Sequence, residues 1–246
     1  MATIPLMFAE EDVEFGGKPG ITEDFAYRNN VQQASLNIRM GFLRKVYGLL
    51  TIQLTFSAII GAVCMFQPEV RAFIQTNDWM VMLALLLSIV FLVALHLKRK
   101  EYPTNLFLLA AFTFVQAYAI GVVLTVYDQV IVLQALVLTL SVVVGLSAFT
   151  FQTKRDFSFL GYGLFGGLML LMVAGIMQLF LGSSVLELVI SLAGAFLFAI
   201  FIVYDTQMLM KTLSPEEYIL ATINLYLDIV NLFLYILRAL KAVRSQ

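Results

Sequence analysis

The sequence is short of charge, cysteine and histidine. Only 13% of its 246 residues are charged and 61% are apolar, whereas soluble domains have about 25% charged residues. Cys64 is the single cysteine, which excludes an intramolecular disulfide and a cysteine-based zinc cluster. The net charge is −1, so the basic surface that nucleic-acid binding requires is lacking. We therefore predict a membrane protein without a nucleic-acid partner.

Proline is also scarce, and all five prolines lie outside the long apolar runs of the chain. Each run is close to the ~20 residues that an α-helix needs to cross the hydrocarbon core of a bilayer. We predict an all-α bundle of seven transmembrane helices over 39–246, preceded by a disordered acidic cytosolic tail over 1–38. The predicted spans are 46–66, 79–97, 106–126, 131–151, 160–181, 186–208 and 216–240.

The distribution of lysine and arginine predicts the orientation of the bundle, because cytosolic loops are enriched in both. Basic residues precede the first span and follow the second, fourth and sixth, which places the N-terminus in the cytosol. Seven crossings would leave Arg238, Lys241 and Arg244 on the far side. Either the earlier charges dominate, or the last segment is re-entrant.

Polar residues form stripes on two of the predicted helices, since positions 3, 4, 7 and 11 apart share one helix face. Glu187 and Asp205 share a face of the sixth helix with Ser191 and Gly194, and the two acids are about 27 Å apart along its axis. The last helix has the longer stripe, formed by Asn224, Asp228, Asn231, Tyr235 and Arg238.

Asp205 and Asp228 are the candidate functional residues. A charged side chain at the centre of a membrane helix costs roughly 2.5–3.5 kcal/mol, so such residues need a partner, a proton or a water-filled path. The short connection between their helices predicts that the two aspartates are neighbours that share a proton and titrate as a unit. The pair could bind calcium weakly and transiently, carry protons, or activate water for proteolysis. Proteolysis is disfavoured, because Leu225-Tyr226-Leu227 precedes Asp228 instead of Gly-x-Gly.

Smaller motifs predict packing and capping. Ser214-Pro215-Glu216-Glu217 is typical of a helix start with a capping box. The spacings Gly163-x-x-x-Gly167 and Ser57-x-x-x-Gly61 are typical of close helix packing.

Several segments resemble the signature of the Bax-inhibitor/Lifeguard family: VYDT (203–206), LSPEEY (213–218) and LYLDIVNLF (225–233). RMGFLRKVY (39–47) and KEYPTNL (100–106) resemble its Golgi anti-apoptotic protein branch, also called Lifeguard 4. The resemblance extends in order over roughly 36–246. It implies a non-enzymatic, multi-pass protein of Golgi and endoplasmic reticulum membranes that leaks calcium from stores and inhibits apoptosis, with calcium as the permeant ion and no cofactor.

The resemblance also implies roles for individual residues. Asp205 and Asp228 would be the proton-sensing pair, and a basic residue at the cytosolic end of the second helix would latch that pair shut. Arg99 is the expected latch, with Lys98 as the alternative. Glu187 would take part in ion conduction at the luminal mouth, and Glu216 would support the pathway.

Three functions remain open from the sequence: a pH-gated calcium leak channel, a cation/proton antiporter, and a non-conducting regulator that binds apoptosis or store-channel proteins. The buried acids favour the first two, and the resemblance favours the channel. The predicted partners are the lipid bilayer, calcium and protons, with apoptosis or store-channel proteins as further partners of the regulator.

Overall fold

The computed structural model describes residues 36–77, 79–153 and 155–244. Of the predicted disordered tail over 1–38, residues 1–35 lie outside the described ranges, and residues 36–38 are helical. The described chain forms α1 (Leu36–Phe66), α2 (Pro68–Thr76), α3 (Trp79–Lys98), α4 (Thr104–Leu124), α5 (Gln129–Gln152), α6 (Leu160–Leu181), α7 (Ser184–Lys211), a 3-10 turn (Pro215–Glu217) and α8 (Tyr218–Arg244). Seven of these helices, all but α2, are long and apolar enough to cross a membrane, as predicted. The first helix begins three residues before the predicted boundary at Arg39.

Local sequence explains where the helices begin and end. The Asp128 side chain caps α5 by accepting a hydrogen bond from the Val130 amide at 3.0 Å. Gly182 ends α6 in the left-handed conformation, with φ 59°, which glycine adopts without steric cost. The predicted capping box is confirmed, with Ser214 and Glu217 bonding reciprocally at the turn before α8.

The last segment is one continuous helix over 218–244 and not a re-entrant loop. Its 27 residues correspond to about 40 Å. At its end the Arg244 guanidinium lies 3.4 Å from Asp128, in the turn between α4 and α5. The C-terminal end of α8 therefore lies at the end of the bundle opposite to Lys98, Arg99 and Lys211. We call the end with Lys98, Arg99 and Lys211 the basic end, and the end with the C-terminus of α8 the opposite end.

The bundle is built around α8, which packs against α7, α5 and α1. In its most apolar stretch 56% of the residues are buried, compared with 11–39% in the other six spans. Neighbouring helices therefore shield α8 from lipid on several sides. This shielding explains how α8 accommodates a polar stripe that would be unstable against hydrocarbon.

Candidate functional site

Asp205 on α7 and Asp228 on α8 face each other in the interior of the bundle. Their carboxyl groups are close enough to interact through a side-chain hydrogen bond. Asp205 is half-buried, whereas Asp228 is 6% exposed. A proton shared between them would stabilise this contact, because two carboxylates repel each other in a low-dielectric interior. The structure thus brings together the two residues that the stripes singled out.

Several polar atoms around the pair lack a hydrogen-bond partner among the described residues. They include Oδ2 of Asp228, Oγ1 of Thr206 and the Tyr47 hydroxyl. The Tyr47 hydroxyl on α1 faces the side chains of Thr206 and Ser147, so α1, α5 and α7 converge at the residue that follows Asp205. An unpaired buried polar atom costs about 1–3 kcal/mol. Such a cluster would be stabilised by a proton, a water or a cation. Sequence reasoning missed Tyr47 and Ser147, because neither residue lies on the two stripes.

The pair has no third acid, histidine or cysteine close enough to complete a metal cluster in the described ranges. Asn231, from the same stripe, donates its side-chain amide to the Leu227 carbonyl at 2.8 Å, within its own helix. Asn224 is half-buried. The two asparagines make the face of α8 polar, and Asp228 is the acid on this face.

The predicted latch residues have other partners. The Arg99 guanidinium lies 3.3 Å from Glu217 in the turn before α8, and Lys98 bonds Glu101 at 2.7 Å. The expected contact between Arg99 and Asp205 is therefore replaced by a pair at the surface. Arg99 directly follows α3, whereas Asp205 lies six residues inside the end of α7, about 9 Å along the axis. Glu217 is the acid at the level of Arg99.

The basic end is held together by further contacts with the same turn. Lys100 lies 3.4 Å from Glu216, with both side chains about half exposed. The Lys45 ammonium lies 3.3 Å from the centre of the Tyr218 ring. Asn105 donates to the Tyr218 hydroxyl at 3.1 Å and to the Arg99 carbonyl at 3.0 Å. These contacts connect α1, the α3–α4 loop and the start of α8 across the basic end.

Between the acid pair and the opposite end, the α7 and α8 stripes pack directly on each other. Tyr235 stacks on Phe198 with ring centres 5.7 Å apart. A Cβ added at Gly194 would lie 2.5 Å from the Tyr235 ring, so the ring rests on the α7 backbone. Ser191 is fully buried and bonds the Glu187 carbonyl at 2.7 Å. This half of the interface is closed by side chains.

Charged groups of both stripes meet near Tyr127 at the opposite end. The Arg238 guanidinium lies 5.9 Å from the Tyr235 ring centre. Burial raises the pKa of Tyr127, Arg238 lowers this pKa, and Glu187 raises it, so both charges are close to this side chain. Glu187 is half-buried. The structure therefore places Glu187 and Arg238 at the same end of the α7–α8 interface.

A second polar network connects α8 to α1 and α4. The Tyr226 hydroxyl bonds Ser57 at 2.8 Å, and Gln53 donates to Thr113 at 2.7 Å. The predicted close packing at Gly61 is confirmed, because a Cβ there would lie 2.9 Å from Leu124. Every one of these residues is buried. We assign this network to helix packing, where such bonds contribute about 0.6 kcal/mol each on average.

A seven-helix membrane bundle with an interior aspartate pair defines the class of the protein, and comparison with known proteins defines its family. A family model described as "Inhibitor of apoptosis-promoting Bax1" matches residues 39–245. The chain belongs to this Bax-inhibitor/Lifeguard family, as the motifs predicted.

Three relatives illustrate the similarity. Mouse protein lifeguard 4 is 44% identical over 229 residues, covering 93% of this chain and 96% of the relative. The Golgi anti-apoptotic protein of vaccinia virus strain Lister is 44% identical over 221 residues, covering 90% and 93%. Bax inhibitor 1 of Schizosaccharomyces pombe is 34% identical over 241 residues, covering 98% and 90%. The similarity therefore extends over nearly the whole of each chain.

Proposed function

We propose that this protein is a pH-sensitive calcium leak channel of Golgi and endoplasmic reticulum membranes that lowers store calcium and thereby inhibits apoptosis. The observation that carries the proposal is the contact of Asp205 with Asp228 inside a membrane-spanning bundle, with one Asp228 oxygen buried and unpartnered. The relatives named as Golgi anti-apoptotic and Bax-inhibitor proteins support the location and the cellular role. The basic residues in the loops of this chain support an orientation with the basic end in the cytosol.

The composition of the site suits passage of calcium better than storage. Calcium takes six to eight oxygen ligands in tight sites, and two carboxylates provide at most four. A cation held by Asp205 and Asp228 alone would exchange rapidly, as conduction requires. Glu187, half-buried at the opposite end, would attract the cation before it reaches the pair.

The same two acids would make the leak sensitive to pH. With one proton, the pair forms a charge-assisted hydrogen bond, which is roughly twice as strong as a bond between neutral groups. A second proton removes the charge and weakens the attachment of α7 to α8. We therefore expect acidification to increase the open population. In this mechanism the shared proton takes over the latching role first expected of Arg99.

The test is calcium flux into liposomes that contain a calcium dye, measured over a range of pH. We expect the wild-type protein to leak calcium and the leak to rise in acid. Asp205→Asn and Asp228→Asn should each remove the pH response, because an amide does not titrate. Asp156→Asn is the matched control, because Asp156 is an exposed acid in the loop between α5 and α6. Unchanged flux and unchanged pH response in both pair variants would reject the proposal.

A cation/proton antiporter is the second candidate. The closure of the α7–α8 interface by Tyr235 and Gly194 favours it, since an exchanger never needs a continuous open path. An imposed proton gradient should then drive calcium uphill in the same liposomes. A channel would only dissipate the calcium gradient, so the direction of net transport separates the two functions.

A further inference from the structure

An apolar groove lies on a different face of α8 from the aspartate pair. It has a volume of about 290 Å³, and α8 forms its floor between α1 and α5. Ile229 and Phe233 contribute the floor, Ala58 and Ala62 one wall, and Leu136 and Val143 the other. The groove is open to the outside of the bundle, where Ala58, Ala62 and Leu136 are exposed, and these residues belong to spans long and apolar enough to cross a membrane.

The groove is about as long as one leaflet of a bilayer is thick, and it lies in one half of the bundle. Its α1 wall runs over residues 54–66 and its α5 wall over residues 129–143, which correspond to 18–21 Å at about 1.5 Å per residue. Half of the hydrocarbon core is about 15 Å thick. The groove therefore extends from the opposite end of the bundle to its middle. The Ser57 hydroxyl, at the inner end of the groove, is hydrogen-bonded to the Tyr226 hydroxyl. An apolar ligand can therefore lie there without breaking a hydrogen bond.

The mouth of the groove is basic. Leu124 and Gln129 line it and flank the turn between α4 and α5. Arg71 donates to the Thr125 carbonyl in this turn at 2.9 Å, and the Lys241 ammonium lies 4.7 Å from the centre of the Tyr127 ring. Of the acids near this mouth, Asp128 is paired with Arg244, Glu69 is exposed on α2, and Glu187 acts on Tyr127 from α7 without a described ion pair. Two cations thus lie at the level of the lipid headgroups without an acidic partner among the described ion pairs.

We propose that this groove is a binding site for one phospholipid of the leaflet at the opposite end. One acyl chain lies between α1 and α5 on the surface of α8, and the phosphate lies against Arg71 and Lys241. An apolar channel of chain length with a cationic mouth fits a phospholipid, because basic pockets between membrane helices bind lipid headgroups. The proposal does not depend on ion conduction, since none of its residues belongs to the aspartate pair.

The first experiment uses the full chain in vesicles of phosphatidylcholine and phosphatidylglycerol that contain a phospholipid with a photoreactive acyl chain. After irradiation, peptide mass spectrometry maps the labelled positions. We expect labels concentrated on residues 54–66 and 129–143. Ala58→Phe and Ala62→Phe, which fill the groove, should reduce this labelling several-fold, whereas Ala110→Phe, at an exposed alanine of α4 outside the groove, should not. Uniform labelling of all lipid-facing helices in the wild-type protein would overturn the proposal, even if a filled variant fails to fold.

The second experiment tests the headgroup by competition. Unlabelled phosphatidylglycerol should displace the photoreactive lipid from the groove, whereas diacylglycerol, which lacks a phosphate, should do so several-fold less well. Replacing both cations, by Arg71→Gln and Lys241→Gln, should abolish this difference. The proposal would be overturned if diacylglycerol displaced the photoreactive lipid from the wild-type protein as well as phosphatidylglycerol does. Stronger displacement by a sterol would also overturn it, because either result would show that the phosphate is not recognised.

Discussion

The two halves of the α7–α8 interface differ in whether buried polar atoms lack hydrogen-bond partners or apolar side chains fill the space. In the half towards the basic end, Asp205 and Asp228 face each other beside polar atoms without partners. In the other half, Tyr235 rests on Gly194 and stacks on Phe198, and the stripe is closed by packed side chains. Both halves have the same polar spacing along the helices. The two halves therefore differ in the side chains that meet there, with two acids in one half and a tyrosine ring on a glycine in the other.

The largest effect is expected from opening the sealed half by Tyr235→Ala. Loss of the ring removes the stacking on Phe198 and leaves a cavity above Gly194, and truncating a packed aromatic residue costs about 3–5 kcal/mol when it is fully buried. If the leak proposal is correct, calcium flux into liposomes should rise several-fold. Tyr162→Ala, at a site 94% exposed, is the control and should change neither flux nor unfolding temperature. If Tyr235→Ala changes neither the calcium flux nor the unfolding temperature, the ion path is closed by other residues.

A smaller effect is expected from Gly194→Ala, which adds one methyl group to the same contact. The new Cβ would lie 2.5 Å from the Tyr235 ring, so the ring must move, at a cost of about 1–3 kcal/mol. Thermal unfolding in detergent should therefore occur at a lower temperature. Gly166→Ala is the matched control, because a Cβ there meets no atom within 4 Å. Equal unfolding temperatures for the two variants would contradict the close approach of α7 and α8.

The contacts at the basic end should contribute less. Arg99 and Glu217 are 32% and 20% exposed, so a double-mutant cycle with Arg99→Gln and Glu217→Gln should give a coupling energy of at most about 1 kcal/mol. Glutamine at 217 retains the capping geometry, since glutamine also closes a capping box. The cycle for Lys98 and Glu101, which are 50% and 56% exposed, should give less still. A coupling energy of several kcal/mol between Arg99 and Glu217 would instead show that this ion pair contributes strongly to the stability of the bundle.

The smallest effect concerns the loop between α5 and α6. The backbone amide of Ser158 donates to Asp156 at 3.1 Å and lowers the pKa of this carboxyl group. Because the pKa is lower in the folded state, the bond stabilises the fold above the unfolded pKa of about 3.9, and this stabilisation is lost as the pH falls through the folded pKa. Asp156→Asn should lower the unfolding temperature slightly at neutral pH, and the difference should vanish in acid. A difference that grows in acid would contradict this assignment.

Much of the fold could be predicted because the length and apolar character of membrane helices can be read directly from the sequence. The seven apolar runs, the capping box at Ser214 and the two stripes follow from composition and from the period of 3.6 residues. Asp205 and Asp228 were found in the same way, since acids are rare in apolar spans. The short helix over Pro68–Thr76 was missed because it is too short and too polar to resemble a span.

The sequence by itself determined which segments can cross the membrane, which of their faces are polar and which two acids lie within apolar spans, because these properties depend on neighbours along one helix. Only the tertiary structure decided that α8 is the centre of the bundle, that Arg99 pairs with Glu217, and that Tyr235 closes the stripe against Gly194. The apolar groove between α1 and α5 is also a property of the assembled helices. These features depend on which helices pack together and at what depth, and a periodic pattern within one helix contains no information about its partner.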